Sequence, residues 1–96
     1  MQVYITHGFE AYPQKHWFMW LKNELAKKGI STTIPAMPNA DNPAPNEWLA
    51  TLQQEAQNIN THSYFIGHSL GCIATLNFLN TLPDSTRIGG TILISG

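Results

Sequence analysis

Apolar residues along the chain follow two spacings, one typical of strands and one typical of helices. Short runs of β-branched and aromatic residues predict strands at 3–6, 30–34, 64–66 and 90–95. Apolar residues that recur every three or four positions predict helices over 14–28, 46–59 and 72–79. Strands that alternate with helices build a parallel sheet with helices on its faces. The predicted fold class is therefore α/β, in three αβα layers around a mostly parallel sheet.

The segment 35–45 interrupts this pattern with four prolines. Proline lacks a backbone N–H and fixes φ, so neither a regular helix nor a central strand fits there. Two interpretations are open, a disordered linker and a packed surface loop. We favour the packed loop, because connections of about a dozen residues in compact domains are often functional.

The composition of the chain predicts a buried core and argues against two classes of binding partner, nucleic acids and membranes. Hydrophobic residues make up 43% of the 96 residues and charged residues only 11%, so the chain is expected to bury a core as one domain. The formal net charge is −1 and no basic run exceeds Lys27–Lys28, which argues against nucleic-acid binding. No apolar run reaches the length of a transmembrane helix, so no membrane partner is expected.

The sequence also lacks signals for targeting and for cofactors. Its N-terminus has no basic region followed by a long apolar stretch, so we predict no signal peptide and a cytoplasmic location. Cys72 is the single cysteine, which excludes an internal disulfide and a cysteine-based metal framework. Neither Gly-x-Gly-x-x-Gly nor a Walker-type Gly-Lys-Ser/Thr occurs, which gives a nucleotide-binding domain little support. We expect no cofactor and no metal.

A Gly-x-Ser-x-Gly motif, "GHSLG", lies between the third predicted strand and the third predicted helix. The bare motif arises by chance in about 3 of 100 chains of this length. Its strand-turn-helix context is that of the nucleophile elbow of α/β-hydrolases, in which Ser69 projects its hydroxyl above the sheet. Gly67 and Gly71 would then let neighbouring backbone approach. The alternative is a serine that caps the following helix.

A second motif, His7-Gly8-Phe9, follows the first predicted strand. α/β-Hydrolases take one oxyanion-hole donor from the residue after the nucleophile and the other from a loop after an early strand. The backbone N–H groups of Leu70 and Phe9 are the candidates for these two donors. His7, Gly8 and His68 are candidate pocket residues beside them.

Together, three stretches resemble the small serine hydrolases of the retinoblastoma-binding protein nine type: "HGFEAYPQKHWFMWLKNELAKKGI", "IPAMPNADNPAPNEWL" and "YFIGHSLGCIATLNFL". The resemblance covers nearly the whole chain. It implies a Ser-Asp-His triad with Ser69 as nucleophile, and the turn after Gly8 as oxyanion loop. Bacterial members commonly have a glycine and a small polar residue after "HGF", where this chain has Glu10-Ala11. A carboxylate that pointed inward there would weaken oxyanion stabilisation.

The other triad members have no evident counterparts in this sequence. Asp84 is the single acidic residue after Ser69, and no histidine follows the serine. Family resemblance implies two further strands with helices that carry the Asp and the His. We therefore expect residues 1–96 to be the N-terminal part of a single hydrolase domain, truncated after the fourth strand and inactive by itself. The four histidines at 7, 16, 62 and 68 are interpreted as packing or surface residues rather than as the general base.

Two functions from different classes follow from these observations. The first is a serine hydrolase that acts on a small-molecule acyl substrate, such as an ester, thioester or small amide. The alternative is a catalytically inactive α/β module that works by association. In that case the predicted strand 91–95, at the edge of the sheet, would pair with a second copy or with a missing half of the fold.

Overall fold

The computed structural model describes residues 1–94, in which four strands alternate with three helices. In chain order they are β1 (Gln2–Thr6), α1 (Phe18–Ala26), β2 (Ser31–Thr33), α2 (Pro45–Glu55), β3 (Ser63–His68), α3 (Leu70–Asn80) and β4 (Gly90–Ile94). Every predicted element is present, with shifted ends. Ser95, the last residue of the predicted fourth strand, lies outside the described residues.

The strands form one parallel sheet in the order β2-β1-β3-β4. β1 and β3 occupy the centre, with Val3 opposite Tyr64. β4 pairs with β3 so that Ile92 lies opposite Ile66. Since all strands run the same way, their carboxyl ends and the turns that follow β1 and β3 meet at one edge of the sheet.

Helices cover the two faces of this sheet, because alternate strand residues point to opposite sides. Val3, Ile5 and Ile66 pack with Phe18 under α1. On the other face lies a larger buried cluster from the strands and from α2 and α3: Tyr4, Met37, Trp48, Leu52, Ala56, Phe65, Ala74 and Phe78. The predicted three-layer α/β fold is therefore confirmed. Burying each large side chain contributes about 1.5–3 kcal/mol.

Helix α1 begins at Phe18 rather than at Gln14 as predicted. The residues before it form turns, and His16 has φ 58°, a left-handed conformation that an α-helix does not contain. Phe18 is buried on α1 whereas Trp20 is 65% exposed. The helical spacing of apolar residues predicted over 14–28 thus begins before the helix does. In the turns before Phe18 this spacing does not indicate helical structure.

Helix α2 also starts differently from the prediction, which placed its cap at Asn46. The capping residue is Ala44, and Pro45 occupies the first helical position, where its missing N–H costs no hydrogen bond. Trp48 and Leu52 are the buried residues of α2. Ile59, expected on the same helical face, lies beyond the end of the helix at Glu55.

The proline-rich segment 35–45 is a packed loop, as favoured from the sequence. Met37 is buried in the larger core cluster. The Trp48 indole Nε1–H donates a hydrogen bond of 2.7 Å to the Pro38 carbonyl, and the Glu10 N–H donates one of 2.8 Å to the Ala40 carbonyl. These bonds tie the loop to α2 and to the turn after β1.

The helices are short: α1 has 9 residues, and α2 and α3 have 11 each. A helix that crosses a bilayer needs about 20 apolar residues. Within residues 1–94, none of the helices has the length and apolar character required to cross one.

The contact of α3 with β1 can be tested at Gly71. A Cβ added to Gly71 would overlap the Thr6 carbonyl oxygen and lie 2.7 Å from the His7 carbonyl oxygen. We expect Gly71→Ala to lower the free energy of unfolding by about 1–3 kcal/mol or more, although alanine is the better helix former by about 1 kcal/mol. Urea unfolding followed by circular dichroism measures the change.

Gly90→Ala is the matched control, because a Cβ there would meet only Tyr64 ring atoms at 3.5 and 3.7 Å, ordinary van der Waals distances. A Gly71→Ala chain as stable as the Gly90→Ala chain would mean that α3 and β1 are not in backbone contact.

Candidate active site

The turn between β3 and α3 holds Ser69 in an unusual backbone conformation. β3 ends at His68 and α3 begins at Leu70, which leaves Ser69 alone to turn the chain with φ 56° and ψ −124°. A non-glycine residue with positive φ costs of order 1–3 kcal/mol and persists where the surroundings enforce it. Here the Ser69 N–H donates to the Ile94 carbonyl at 2.8 Å, and the Ser69 carbonyl accepts from the Cys72 N–H at 3.0 Å.

The Ser69 hydroxyl does not cap the helix that follows it. Ser69 occupies the N-cap position of α3 but makes no side-chain capping hydrogen bond, and its dihedral angles are not the extended ones typical of that position. The alternative of a capping serine is therefore wrong. The side chain is half-buried at the carboxyl edge of the sheet.

Three glycines let the backbone close around this turn. A Cβ at Gly67 would lie 2.8 Å from the Cys72 Cα, and one at Gly8 would lie 2.9 Å from the Ser69 Cβ. Both distances are shorter than real Cβ contacts, as are those at Gly71. The turn after β1 is therefore in direct contact with the turn after β3.

The backbone N–H groups of Phe9 and Leu70 also lie at this edge. Within residues 1–94, neither the Phe9 N–H nor the Leu70 N–H donates a hydrogen bond, whereas the neighbouring Glu10 N–H is bound to the Ala40 carbonyl. A Cβ on Gly8 would lie 3.3 Å from the Leu70 nitrogen, so the Gly8-Phe9 segment passes close to the start of α3. The first amides of a helix carry a partial positive charge that favours anions.

The carboxylate of Glu10, in the turn after β1, lies at the surface of the protein. Its side chain is exposed, and its carbonyl accepts a hydrogen bond of 3.1 Å from the Lys15 ammonium. Its φ is 55°, a conformation that glycine adopts without strain. A glycine at this position would therefore be free of that strain.

His7 is a buried structural histidine. Its Nε2 accepts a hydrogen bond of 3.0 Å from the Met37 N–H, so Nδ1 carries the proton and donates to the Gly8 carbonyl at 3.1 Å. The ring packs edge-on against Trp48 at 5.7 Å. Burial, which disfavours the charged form, lowers the pKa of His7. With 1% of its surface exposed, His7 offers no face to a ligand and instead holds the Gly8 turn.

His68 points away from this arrangement, toward α1. Its ring lies 5.2 Å from the His16 ring and packs edge-on against Trp17 and Phe18. Burial lowers the pKa of His68, and the nearby His16 lowers it further. His62 is exposed at the amino-terminal end of β3. None of the four histidines forms a hydrogen bond with the Ser69 side chain within residues 1–94.

An apolar cavity of about 290 Å³ lies beside the turn and was not anticipated from the sequence. Leu70, Ile73 and Ala74 of α3 form one wall, and Pro43, Pro45 and Trp48 form the other. Pro43, Pro45 and Trp48 gave no signal for a cavity in the sequence, because the opposite wall comes from a helix more than twenty residues later. Within residues 1–94, no group of three or more His, Cys, Asp or Glu side chains is arranged to hold a metal ion.

The lowered pKa values of the buried His7 and the half-buried His68 predict a pH dependence of stability. The pKa of His7 in the folded chain lies below its ordinary value of about 6.5, so the unfolded chain takes up the proton first as the pH falls. The free energy of unfolding should therefore decrease below about pH 6.5 and level off below the folded-state pKa. His7→Gln, which keeps an acceptor for Met37 but does not titrate, should reduce this decrease and leave the share that His68 contributes.

Urea unfolding at about pH 8 and about pH 5 measures both free energies. His62→Gln, at an exposed position, is the control. A pH dependence that is the same in His7→Gln and in the unmodified chain would contradict the buried, neutral state of His7.

Comparison with known proteins agrees with this architecture. The family model described as serine hydrolase matches residues 3–96. YdeN of Bacillus subtilis (strain 168), a protein provisionally named a hydrolase, is 43% identical over 95 residues, which are 99% of this chain and 50% of YdeN. The crystal structure of the ydeN gene product from B. subtilis matches with a TM-score of 0.91 and 42% identity, over 96% of this chain and 50% of that chain.

This chain thus spans about half the length of the relatives it matches. The match to the family model extends over nearly all of it, and the sheet and helices superpose on a solved relative at more than 40% identity. The resemblance inferred from the serine turn and the proline-rich loop is confirmed. The chain belongs to the serine hydrolase family.

Proposed function

We propose that the chain contributes the nucleophile and the oxyanion hole of a serine hydrolase that acts on a small ester, thioester or amide. The observation that carries this proposal is the conformation of Ser69, φ 56° and ψ −124°, between a buried strand and the start of a helix. A strained residue held by its surroundings is typical of functional sites. The hydroxyl that does not cap α3 is available for chemistry.

In the proposed reaction, the Ser69 oxygen attacks the substrate carbonyl carbon and its proton passes to a general base. The carbonyl oxygen takes up the negative charge, which the N–H groups of Phe9 and Leu70, without an acceptor among residues 1–94, and the amino-terminal end of α3 would stabilise. The leaving group departs with a proton, and water then releases the acyl group from the serine.

The general base of this reaction is proposed to come from outside the residues described. His7 uses both ring nitrogens elsewhere, and His68 faces α1. Serine is a weak nucleophile without a base. We therefore expect this chain alone to turn over substrate poorly, and the Asp and His of the triad to be supplied by the half of the relatives' length that the chain does not span. A cytoplasmic location also stays a prediction.

A reactive fluorophosphonate tests the role of Ser69, because it modifies a nucleophilic serine without needing a later hydrolysis step. We expect slow but site-specific labelling, since an oxyanion hole retains part of the catalysis when triad members are missing. Peptide mass spectrometry should find the phosphonyl group on Ser69, and Ser69→Ala should abolish it.

The matched control is Ser85→Ala. It removes an exposed serine that is distant in sequence from the turn at Ser69. It should label like the unmodified chain. Labelling of Ser69→Ala to the same extent as the unmodified chain, or labelling only at other residues, would contradict the assignment.

Association through β4 is a second candidate function. In the part of the sheet described by residues 1–94, β4 is an outer strand, and Ile92, Leu93 and Ile94 are 58%, 45% and 37% exposed. An apolar strand with an unpaired edge is a template for pairing with another strand. We propose that a second copy of this chain, or a further part of the family fold, covers this edge.

Sedimentation velocity tests the association. We expect the unmodified chain to sediment as a dimer or larger species at micromolar concentration, and Ile92→Lys to shift it toward the monomer, because lysine on an edge strand disfavours pairing. Trp20→Lys is the control, because Trp20 is also a large exposed apolar residue, with 65% of its surface exposed, but lies on α1 rather than on β4. A monodisperse monomer of the unmodified chain would contradict pairing with a second copy.

A further inference from the structure

The apolar cavity between α2 and α3 has the position of a substrate subsite. α3 starts at Leu70, directly after Ser69, and Leu70 lines the cavity. Residues 70, 73, 74 and 77 lie on one face of a helix, because they are three, four and seven positions apart. The cavity therefore begins at Leu70, the residue after the serine, and extends along α3 to Asn77, about 10 Å further at 1.5 Å per residue.

The opposite wall is held in place by the proline-rich loop and α2. Trp48 is 2% exposed and its indole N–H is fixed to the Pro38 carbonyl at 2.7 Å. Pro43 and Pro45 have restricted backbones. A wall with little conformational freedom loses little entropy when a ligand binds.

The chemistry of the walls selects an uncharged, apolar group. Six of the seven lining residues are apolar, none is charged, and the amide of Asn77 is the one polar side chain among them. A charged group buried in this cavity would have no charged side chain to pair with. The volume of about 290 Å³ is at the lower end of small-molecule sites and holds on the order of ten water-sized groups at about 30 Å³ each.

We propose that this cavity is the acyl-binding pocket of the hydrolase site and that it takes short, uncharged, apolar acyl chains. That the bound group is an acyl chain rests on the proposed role of Ser69 as nucleophile. The affinity of the cavity for apolar chains does not depend on that role. Each methylene that enters should strengthen binding about fourfold, until the chain reaches Asn77.

Primary alcohols from butanol to octanol are suitable unreactive probes. Titrations are followed by ¹H–¹⁵N NMR of the Ile92→Lys chain, a substitution chosen to disfavour pairing of β4 with a second copy. Ile92 lies on the α1 side of the sheet with its partner Ile66, opposite the cavity. We expect saturable shifts of the Leu70, Ile73 and Asn77 amides and of the Trp48 indole N–H, with affinity that rises about fourfold per methylene.

Two variants on α3 form the matched pair. Ile73→Asp places a carboxylate in the cavity wall and should weaken octanol binding at least tenfold. Leu76→Asp places the same group on the same helix outside the lining residues and should leave binding unchanged. Ile73 and Leu76 are 57% and 49% exposed, so neither substitution disturbs the core. Shifts without chain-length dependence, or an equal loss in both variants, would overturn the pocket.

The same experiments separate this inference from the proposed function. Octanol should bind the Ser69→Ala chain as tightly as the unmodified serine chain. Binding of alcohols together with no fluorophosphonate labelling of Ser69 would leave an apolar pocket and remove the hydrolase role. Labelling of Ser69 at equal rates by methyl- and hexylphosphonofluoridates would keep the hydrolase role and overturn the acyl pocket.

Discussion

Backbone contact between the turn after β1 and the turn after β3 is the constraint on which the site depends. Gly8 lies against Ser69, and Gly71 lies against the carbonyls of Thr6 and His7. Side chains at these positions would separate the two turns by the width of at least one methyl group. At this separation the N–H groups of Phe9 and Leu70, which donate no hydrogen bond within residues 1–94, lie at the same edge of the sheet. The glycines therefore set the geometry of the turns as well as the stability of the fold.

His7 extends this constraint to the proline-rich loop. The ring joins the Gly8 carbonyl to the Met37 N–H, two groups that are 29 residues apart in the sequence, and it is covered by Trp48. Trp48 in turn forms one wall of the apolar cavity beside Ser69. A single buried imidazole thus connects the turn after β1 with the loop that leads to the cavity wall. Its neutral state matters, because a protonated Nε2 could not accept the Met37 hydrogen bond.

Much of this fold was predictable because its signals are local. The alternation of strands and helices, the packed proline-rich loop and the turn at Ser69 all follow from residue types within a few positions of one another. What the sequence did not predict depends on backbone conformation or on distant contacts. The left-handed His16 delays α1, Pro45 rather than Asn46 begins α2, and the bond from Met37 to His7 joins separate segments. The cavity needs two helices to form its walls, so no local pattern indicates it.

The strain at Ser69 connects the two candidate functions physically. A positive φ at serine costs of order 1–3 kcal/mol, and one of the bonds that holds it is donated by the Ser69 N–H to the Ile94 carbonyl, the last described residue of β4. The Cys72 thiol also approaches the Ile94 carbonyl, at 3.5 Å. β4 is an outer strand among the described residues, and its side chains are largely exposed. A strand that paired with the outer edge of β4 would restrain the strand whose Ile94 carbonyl holds the Ser69 N–H. Covering this edge and fixing the conformation of Ser69 would then be two effects of one contact.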